Sequence, residues 1–165
     1  MDTAYKKILG KWGEEQVDIW MEQHNWLPTE KNLRIHGGEI DRVYTCAHSR
    51  EKPQFCIAEI KTNLIYSKNN FAEIFSEVGI KKYLKQRQIR NLYKFGENYL
   101  ASGKQNVFLR LFIVLKLNNE LKINSPLKNT GSIKICFTSD SYFILAIEPE
   151  FTNLQARKSL LQVKL

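Results

Sequence analysis

Residues 55–61 read Phe-Cys-Ile-Ala-Glu-Ile-Lys, five apolar residues broken only by Glu59 and closed by Lys61. A run this short and this apolar reads as a strand buried on both faces. Such a strand needs covering layers above and below its sheet. The chain around it offers both. At about 100° per residue, Tyr5, Ile8, Leu9, Trp12, Val17, Ile19 and Trp20 share one broad face of a helix over 3–25. Glu14 and Glu15 fall at the two opposite edges of that face. The three tryptophans, Trp12, Trp20 and Trp26, are expected to pack this helix. Asn25 and Pro28 mark the exit into a loop.

The next segments alternate strand and turn signals. "WLPTEKNLRI" is extended and holds a first strand. Gly37-Gly38 is a turn before a second strand, "EIDRVYTCA". "HSREKPQ" is a polar hairpin connection into the third strand, "FCIAEIK". Helical spacing returns over 71–101, in two pieces around Gly79. "NVFLRLFIVLKL" is a fourth strand, and "SIKICFT" and "YFILAIE" form a hairpin closed by Ser139-Asp140-Ser141. A short helix is expected after Pro149. Sequential strands flanked by helices argue for an α/β sandwich with a mixed sheet. No repeat or linker divides the 165 residues, so one domain is expected, with a core over about 3–117 and a C-terminal extension over about 118–165.

The formal net charge is +8 and the isoelectric point about 9.4, which favours a polyanionic partner over an acidic or neutral one. Solubility alone is the competing explanation. No apolar run approaches the ~20 residues that span a bilayer, and the charged N-terminus lacks a signal peptide. Cys46, Cys56 and Cys136 follow no framework spacing and read as buried free thiols of a cytosolic protein. His24, His36 and His48 are isolated and make no zinc spacing.

The charges inside the second and third strands carry the chemistry. If those strands are neighbours, Asp41 and Glu59 lie side by side on one face. Two converging carboxylates repel unless a cation sits between them, and oxygen donors suit Mg²⁺. Glu59 and Lys61 are two apart on a strand and share a face. A lysine there can orient a water or offset charge on a phosphate. The Ile60 carbonyl adds a further oxygen. A surface salt bridge of Lys61 is the plain alternative. Glu39 is expected to point away from Asp41, as a structural or outer partner and not a ligand.

The ordered set resembles the PD-(D/E)XK nuclease superfamily, and most closely its YraN-like family, which is similar to archaeal Holliday-junction resolvases. The residues that carry the resemblance are Gly13-Glu14, Gly38-Glu39-Ile40-Asp41, Glu59-Ile60-Lys61, Lys85-Gln86-Arg87 and Tyr99-Leu100, over about 5–115. The resemblance implies a restriction-endonuclease-like α-β-β-β-α-β core with a mixed sheet between helices, plus a C-terminal β-hairpin and helix. It implies Asp41 and Glu59 as metal ligands, Lys61 as the catalytic lysine and Glu14 as a further ligand. It thus implies a cytoplasmic bacterial endodeoxyribonuclease using Mg²⁺ or Mn²⁺, with room for a branched, flapped or single-stranded substrate and for a homodimer. Three features depart from the family pattern: Arg110-Leu111-Phe112 replaces Arg-Phe-Asp, Arg42 stands at an aliphatic position, and 118–142 is extra.

Lys81, Lys82, Lys85, Arg87, Arg90 and Lys94 fall in a stretch without acids. Solvated helix faces usually mix signs, so this run points to phosphate contacts and to DNA. Lys81, Lys82 and Lys85 are expected near one helix flank, and Arg87, Arg90 and Lys94 along another. Tyr66, Phe71 and Tyr83 are core or loop anchors, or surfaces on which bases stack. The competing functional class is a catalytically silent nucleic-acid-binding protein on the same scaffold.

Overall fold

The computed structural model describes residues 2–35, 38–46, 53–74, 79, 82, 85–104, 106–123, 129 and 133–147. Helix α1 (Thr3–Gln23) starts where the Asp2 carboxylate accepts the Ala4 amide at 3.3 Å, satisfying one of the free donors of a helix start. Three strands follow: β1 (Trp26–Ile35), β2 (Gly38–Cys46) and β3 (Gln54–Ile65). Then come α2 (Lys68–Ile74), α3 (Gln86–Ala101), β4 (Val107–Leu117), β5 (Ile133–Thr138) and β6 (Tyr142–Ile147). The strands form one mixed sheet in the order β1-β2-β3-β4-β6-β5. Only β3 and β4 run parallel, and the helical crossover between them is what parallel neighbours require.

Both faces of the sheet are covered. On one, Val17 and Met21 of α1 meet Tyr44, Cys56, Ala58, Ile60, Phe112 and Val114. On the other, Leu92, Phe95 and Tyr99 of α3 meet Ile40, Val43, Ile57 and Leu109. Residues 56–60 of β3 are all buried, as its apolar run demands. No described helix is long and apolar enough to cross a membrane.

Three expectations need correction. The loop expected at Asn25–Pro28 is absent: Asn25 takes a positive φ of 65° and β1 begins at the next residue. Pro28 is tolerated inside β1 because β1 is an edge strand, with a register shift beside it. The buried face of α1 is Leu9, Gly13, Val17 and Met21, while Ile8 and Ile19 remain 67% and 49% exposed. The helix turns this way because Gly13 is its point of closest approach to the sheet. A Cβ at Gly13 would collide with the Thr62 side chain of β3. Of the three free thiols only Cys56 is buried; Cys46 and Cys136 are half-buried.

The hairpin β5–β6 is joined by Ser139, whose amide donates to the Tyr142 carbonyl at 3.0 Å. It continues the same sheet, with β6 against β4, and Ile144, Leu145 and Ile147 are fully buried. The helix expected after Pro149 lies outside the described residues.

Candidate metal centre and nucleic-acid face

The β2–β3 ladder runs from Cys46↔Gln54 to Arg42↔Ala58 and stops. Beyond it β2 stays with β1, where Leu33 pairs with Ile40 and Ile35 with Gly38. The sheet therefore forks at Asp41. The Ile60 amide would lose its partner at the fork; Asp41 Oδ2 accepts it at 2.7 Å. A side-chain oxygen thus replaces a strand carbonyl, as buried backbone donors require. This anchors the Asp41 carboxylate in the opening between β2 and β3. In a strand a residue's amide and carbonyl leave by the same edge, so the Ile60 carbonyl also faces the opening.

Glu59 and Lys61 sit on the α3 side of β3, in phase with Ile57. Lys61 Nζ lies 2.6 Å from Glu59 Oε1, and Gln88 Nε2 of α3 donates to the same oxygen at 2.9 Å. Glu59 is buried, and Lys61 is one-third exposed. Glu39 and Asp41 are two apart on β2, so alternation alone does not separate them. What separates them is the fork: Asp41 turns into the opening, whereas exposed Glu39 pairs with Arg34 of β1 at 3.2 Å. Glu39 therefore belongs to a surface pair of the β1–β2 edge.

The α1 side carries a second charged group that the sequence did not announce. Arg42 Nη2 contacts Glu14 Oε2 at 2.9 Å, and its Nε donates to Asp18 Oδ1 at 3.0 Å. Its Nη1 donates to the Asp41 carbonyl at 2.8 Å. Tyr44 donates its hydroxyl to Asp18 Oδ1 at 2.8 Å, and Lys31 Nζ lies 3.1 Å from Asp18 Oδ2. Geometry separates the two edge glutamates: Glu14 enters this cluster, while Glu15 pairs loosely with Lys11 at 3.9 Å on the surface. Sequence reading did not place Asp18, Arg42, Tyr44, Lys31 or Gln88 in these groups. The available signal was Asp18, one helical turn beyond Glu14, together with a lone arginine inside a strand.

The carboxylates titrate high. Burial pushes Asp41 above the ordinary carboxylate value, outweighing the Ile60 amide and Lys61. Burial pushes Glu59 up as well, and the nearby Asp41 charge adds to it against Lys61 and Gln88. Burial raises Glu14, with Arg42 opposing and the Asp41 charge reinforcing. Asp41 is thus within electrostatic reach of both Glu14 and Glu59 and is the hinge between the two groups. Burial works against the Arg42 charge, but Asp18 and Glu14 outweigh it and hold the guanidinium charged.

Among the described residues, no three His, Cys, Asp or Glu side chains are grouped to hold a metal ion. Glu14 faces the Arg42 guanidinium instead. The oxygen donors left are the Asp41 carboxylate and the Ile60 carbonyl at the opening, and the Glu59 carboxylate on the α3 side, within electrostatic reach of Asp41. Two carboxylates and a carbonyl are hard oxygen donors of the kind Mg²⁺ accepts alongside its own waters. Their raised ionisation is what a cation would relieve, so the donor set fits.

The basic residues are only partly where helical spacing put them. Helix α3 starts at Gln86; Lys85 is its extended N-cap residue, and Lys82 is paired with Glu73 of α2. The expected flank of Lys81, Lys82 and Lys85 is therefore no continuous helix face, and Lys81 lies outside the described residues. Arg87, Arg90 and Lys94 are exposed along one flank of α3, whose Gln88 faces Glu59. Phe71 is a core residue, 5.0 Å from Phe143 between ring centres, and Tyr66 is 57% exposed. Tyr83 lies outside the described residues. Compared with family models, with curated proteins and with solved structures, the chain matches none.

Proposed function

We propose that this protein is a metal-dependent DNA endonuclease with a restriction-endonuclease-like core. The observation that carries the proposal is the fork at Asp41, where its carboxylate takes the Ile60 amide, next in the chain to the Lys61-bound Glu59, with which Asp41 couples electrostatically. Asp41 and Glu59, with the Ile60 carbonyl, would hold Mg²⁺ or Mn²⁺. Bound there, the cation would supply Lewis acidity, making a water more acidic and offsetting charge on the phosphate. Lys61 is the exposed cation of the site. It can take up or offset charge on the attacking water or the scissile phosphate. Arg87, Arg90 and Lys94 would grip flanking phosphates.

A second proposal keeps DNA binding without cleavage. Two internal cations favour it: Lys61 already pairs with Glu59, and Arg42 with Glu14. Such pairs neutralise carboxylates without a metal.

Junction, flap, single-stranded and duplex DNA, each with Mg²⁺, Mn²⁺ or EDTA, separate the two. The endonuclease cuts at least one substrate with metal only, and Asp41→Ala and Lys61→Ala each lower the rate by about 100-fold or more. Retained binding with no metal-dependent cleavage would leave the binding protein standing. Equal rates in wild type and variants would mean that the activity belongs to a contaminant.

A further inference from the structure

The first turn of α3 places Gln88 over β3. Its Nε2 donates to Glu59 Oε1 at 2.9 Å, the oxygen that Lys61 also holds. Two donors therefore converge on one oxygen of Glu59. Its other oxygen, Oε2, accepts no hydrogen bond among the described residues. A carboxylate that is bonded twice on one side has a fixed rotamer and a defined free oxygen.

The orientation of the Gln88 amide follows from chemistry. Ionised Glu59 only accepts hydrogen bonds, so the Gln88 nitrogen faces it and the Gln88 oxygen is the other end of the amide. That oxygen, Oε1, is buried and has no partner among the described residues. A buried acceptor without a donor is unfavourable, and such orphans in folded proteins usually mark a missing water, ion or ligand. A glutamine retained only for packing against Glu59 would have no need to bury its second polar end unpaired. Here the unpaired end belongs to the side chain that locks a candidate ligand.

We propose that Gln88 is a positioning residue of the site: Nε2 fixes Glu59, and Oε1 accepts a hydrogen bond from the water held beside it. This rests on the endonuclease reading. The amide would aim the oxygen lone pair of that water by engaging one of its hydrogens, while Lys61 holds the same Glu59 oxygen as Nε2.

Gln88→Met keeps the side-chain length and removes both polar ends; Gln88→Asn keeps the amide and withdraws it from Glu59. Unfolding midpoints establish that each variant folds, since α3 is anchored independently by Leu92, Phe95 and Tyr99. Mn²⁺ affinity is read on the protein alone by electron paramagnetic resonance. Cleavage of the best DNA substrate is read as kcat and KM separately. Each variant is expected to lose about tenfold or more in Mn²⁺ affinity and in kcat, with KM for DNA unchanged. Unchanged kcat and Mn²⁺ affinity in both variants, with Asp41→Ala inactive, overturns the role of Gln88 and leaves the endonuclease intact. A loss confined to KM overturns it too. A wild type that neither binds Mn²⁺ nor cleaves overturns both proposals.

Discussion

Two charged groups flank Asp41, and they are built in opposite ways. On the α1 side, Arg42 meets Glu14, Asp18 and the Asp41 carbonyl, and Tyr44 and Lys31 complete Asp18. The Arg42 side chain is only 5% exposed. Each of its three contacting nitrogens finds an oxygen, so the group is closed. On the α3 side, Lys61 and Gln88 both hold one oxygen of Glu59; among the described residues the other oxygen is unengaged, and a Gln88 oxygen is buried without a donor. That group is open. Closed charge networks hold a fold in register, whereas open ones hold unmet capacity that a ligand can use. Under the proposed reading, that difference gives the α1 side to architecture and the β3 side to chemistry, although both began as acids on apolar elements.

Replacing Arg42 by methionine tests the closed side and carries the largest expected effect. It leaves Asp18 and Glu14 without their guanidinium in a buried place. Removing one partner of a buried pair typically costs about 3–5 kcal/mol. The midpoint of urea unfolding should fall accordingly, with an unchanged slope. A loss below about 1 kcal/mol would put Arg42 in the class of surface pairs and erase the contrast.

Lys61→Ala tests the open side by the reverse pattern. Lys61 is one-third exposed, so solvent screens its pairing with Glu59. Stability is expected to change by about 1 kcal/mol or less, while the metal-dependent cleavage rate falls by about 100-fold. Loss of the fold with Lys61 would make it a structural cation like Arg42.

Much of the fold was legible because its signals are local. The apolar run of β3, the spacing along α3 and the serine-bounded turn of the last hairpin each depend on a few neighbouring residues. Where β5 and β6 would sit was not legible: pairing with β4 is a long-range choice, and a segment that looks like an appendage completes the sheet. The face of α1 was misjudged for a related reason. Apolar counting gives weight to Ile8 and Ile19, but the helix seats on Gly13, a residue that such counting ignores.

The candidate site was legible in part. Spacing named Asp41, Glu59 and Lys61, and it placed Glu59 and Lys61 on one face. It did not reveal the fork, because strand parity presumes a continuous ladder. Past the end of the β2–β3 ladder Asp41 takes the Ile60 amide, and its charge still reaches Glu59. Arg42 looked like an oddity in a strand until Glu14 and Asp18 arrived from α1, 24 and more residues away in the chain. Gln88 carried no signal, since an uncharged residue in a basic run draws no attention.

Proton linkage sharpens the comparison further. Asp41 and Glu59 are raised by burial, so their ionisation works against folding at neutral pH. A raised pKa in the folded state means stability is fully present below the unfolded value, near 4, and is lost as pH rises through the folded value. Asp41→Asn keeps an oxygen for the Ile60 amide and removes the buried charge. This variant should therefore unfold at a higher urea concentration than wild type at pH 7. The gap should narrow as pH falls through the raised value of Asp41. Glu59→Gln should behave alike, with a smaller gap because Lys61 and Gln88 offset its charge. Both should gain stability while losing the metal-dependent rate, the trade that functional carboxylates commonly make. A loss of stability at pH 7 in both would put the open side under the same rule as the closed one.

The smallest effect is expected where neither rule applies. Arg34 and Glu39 lie 3.2 Å apart across the β1–β2 edge, with Arg34 80% exposed. Glu39 stands two residues from Asp41 on the same strand, so its charge reaches Asp41 and raises it slightly. Water and salt screen the Arg34–Glu39 pair, and two long side chains lose freedom in making it. A double-mutant cycle of Arg34→Ala and Glu39→Ala should return a coupling of about 0.5 kcal/mol or less, fading in high salt. Mn²⁺ affinity should be unaltered in Glu39→Ala. A loss of metal affinity there as large as in Asp41→Ala would move Glu39 from the edge into the fork and redraw the open group around three carboxylates.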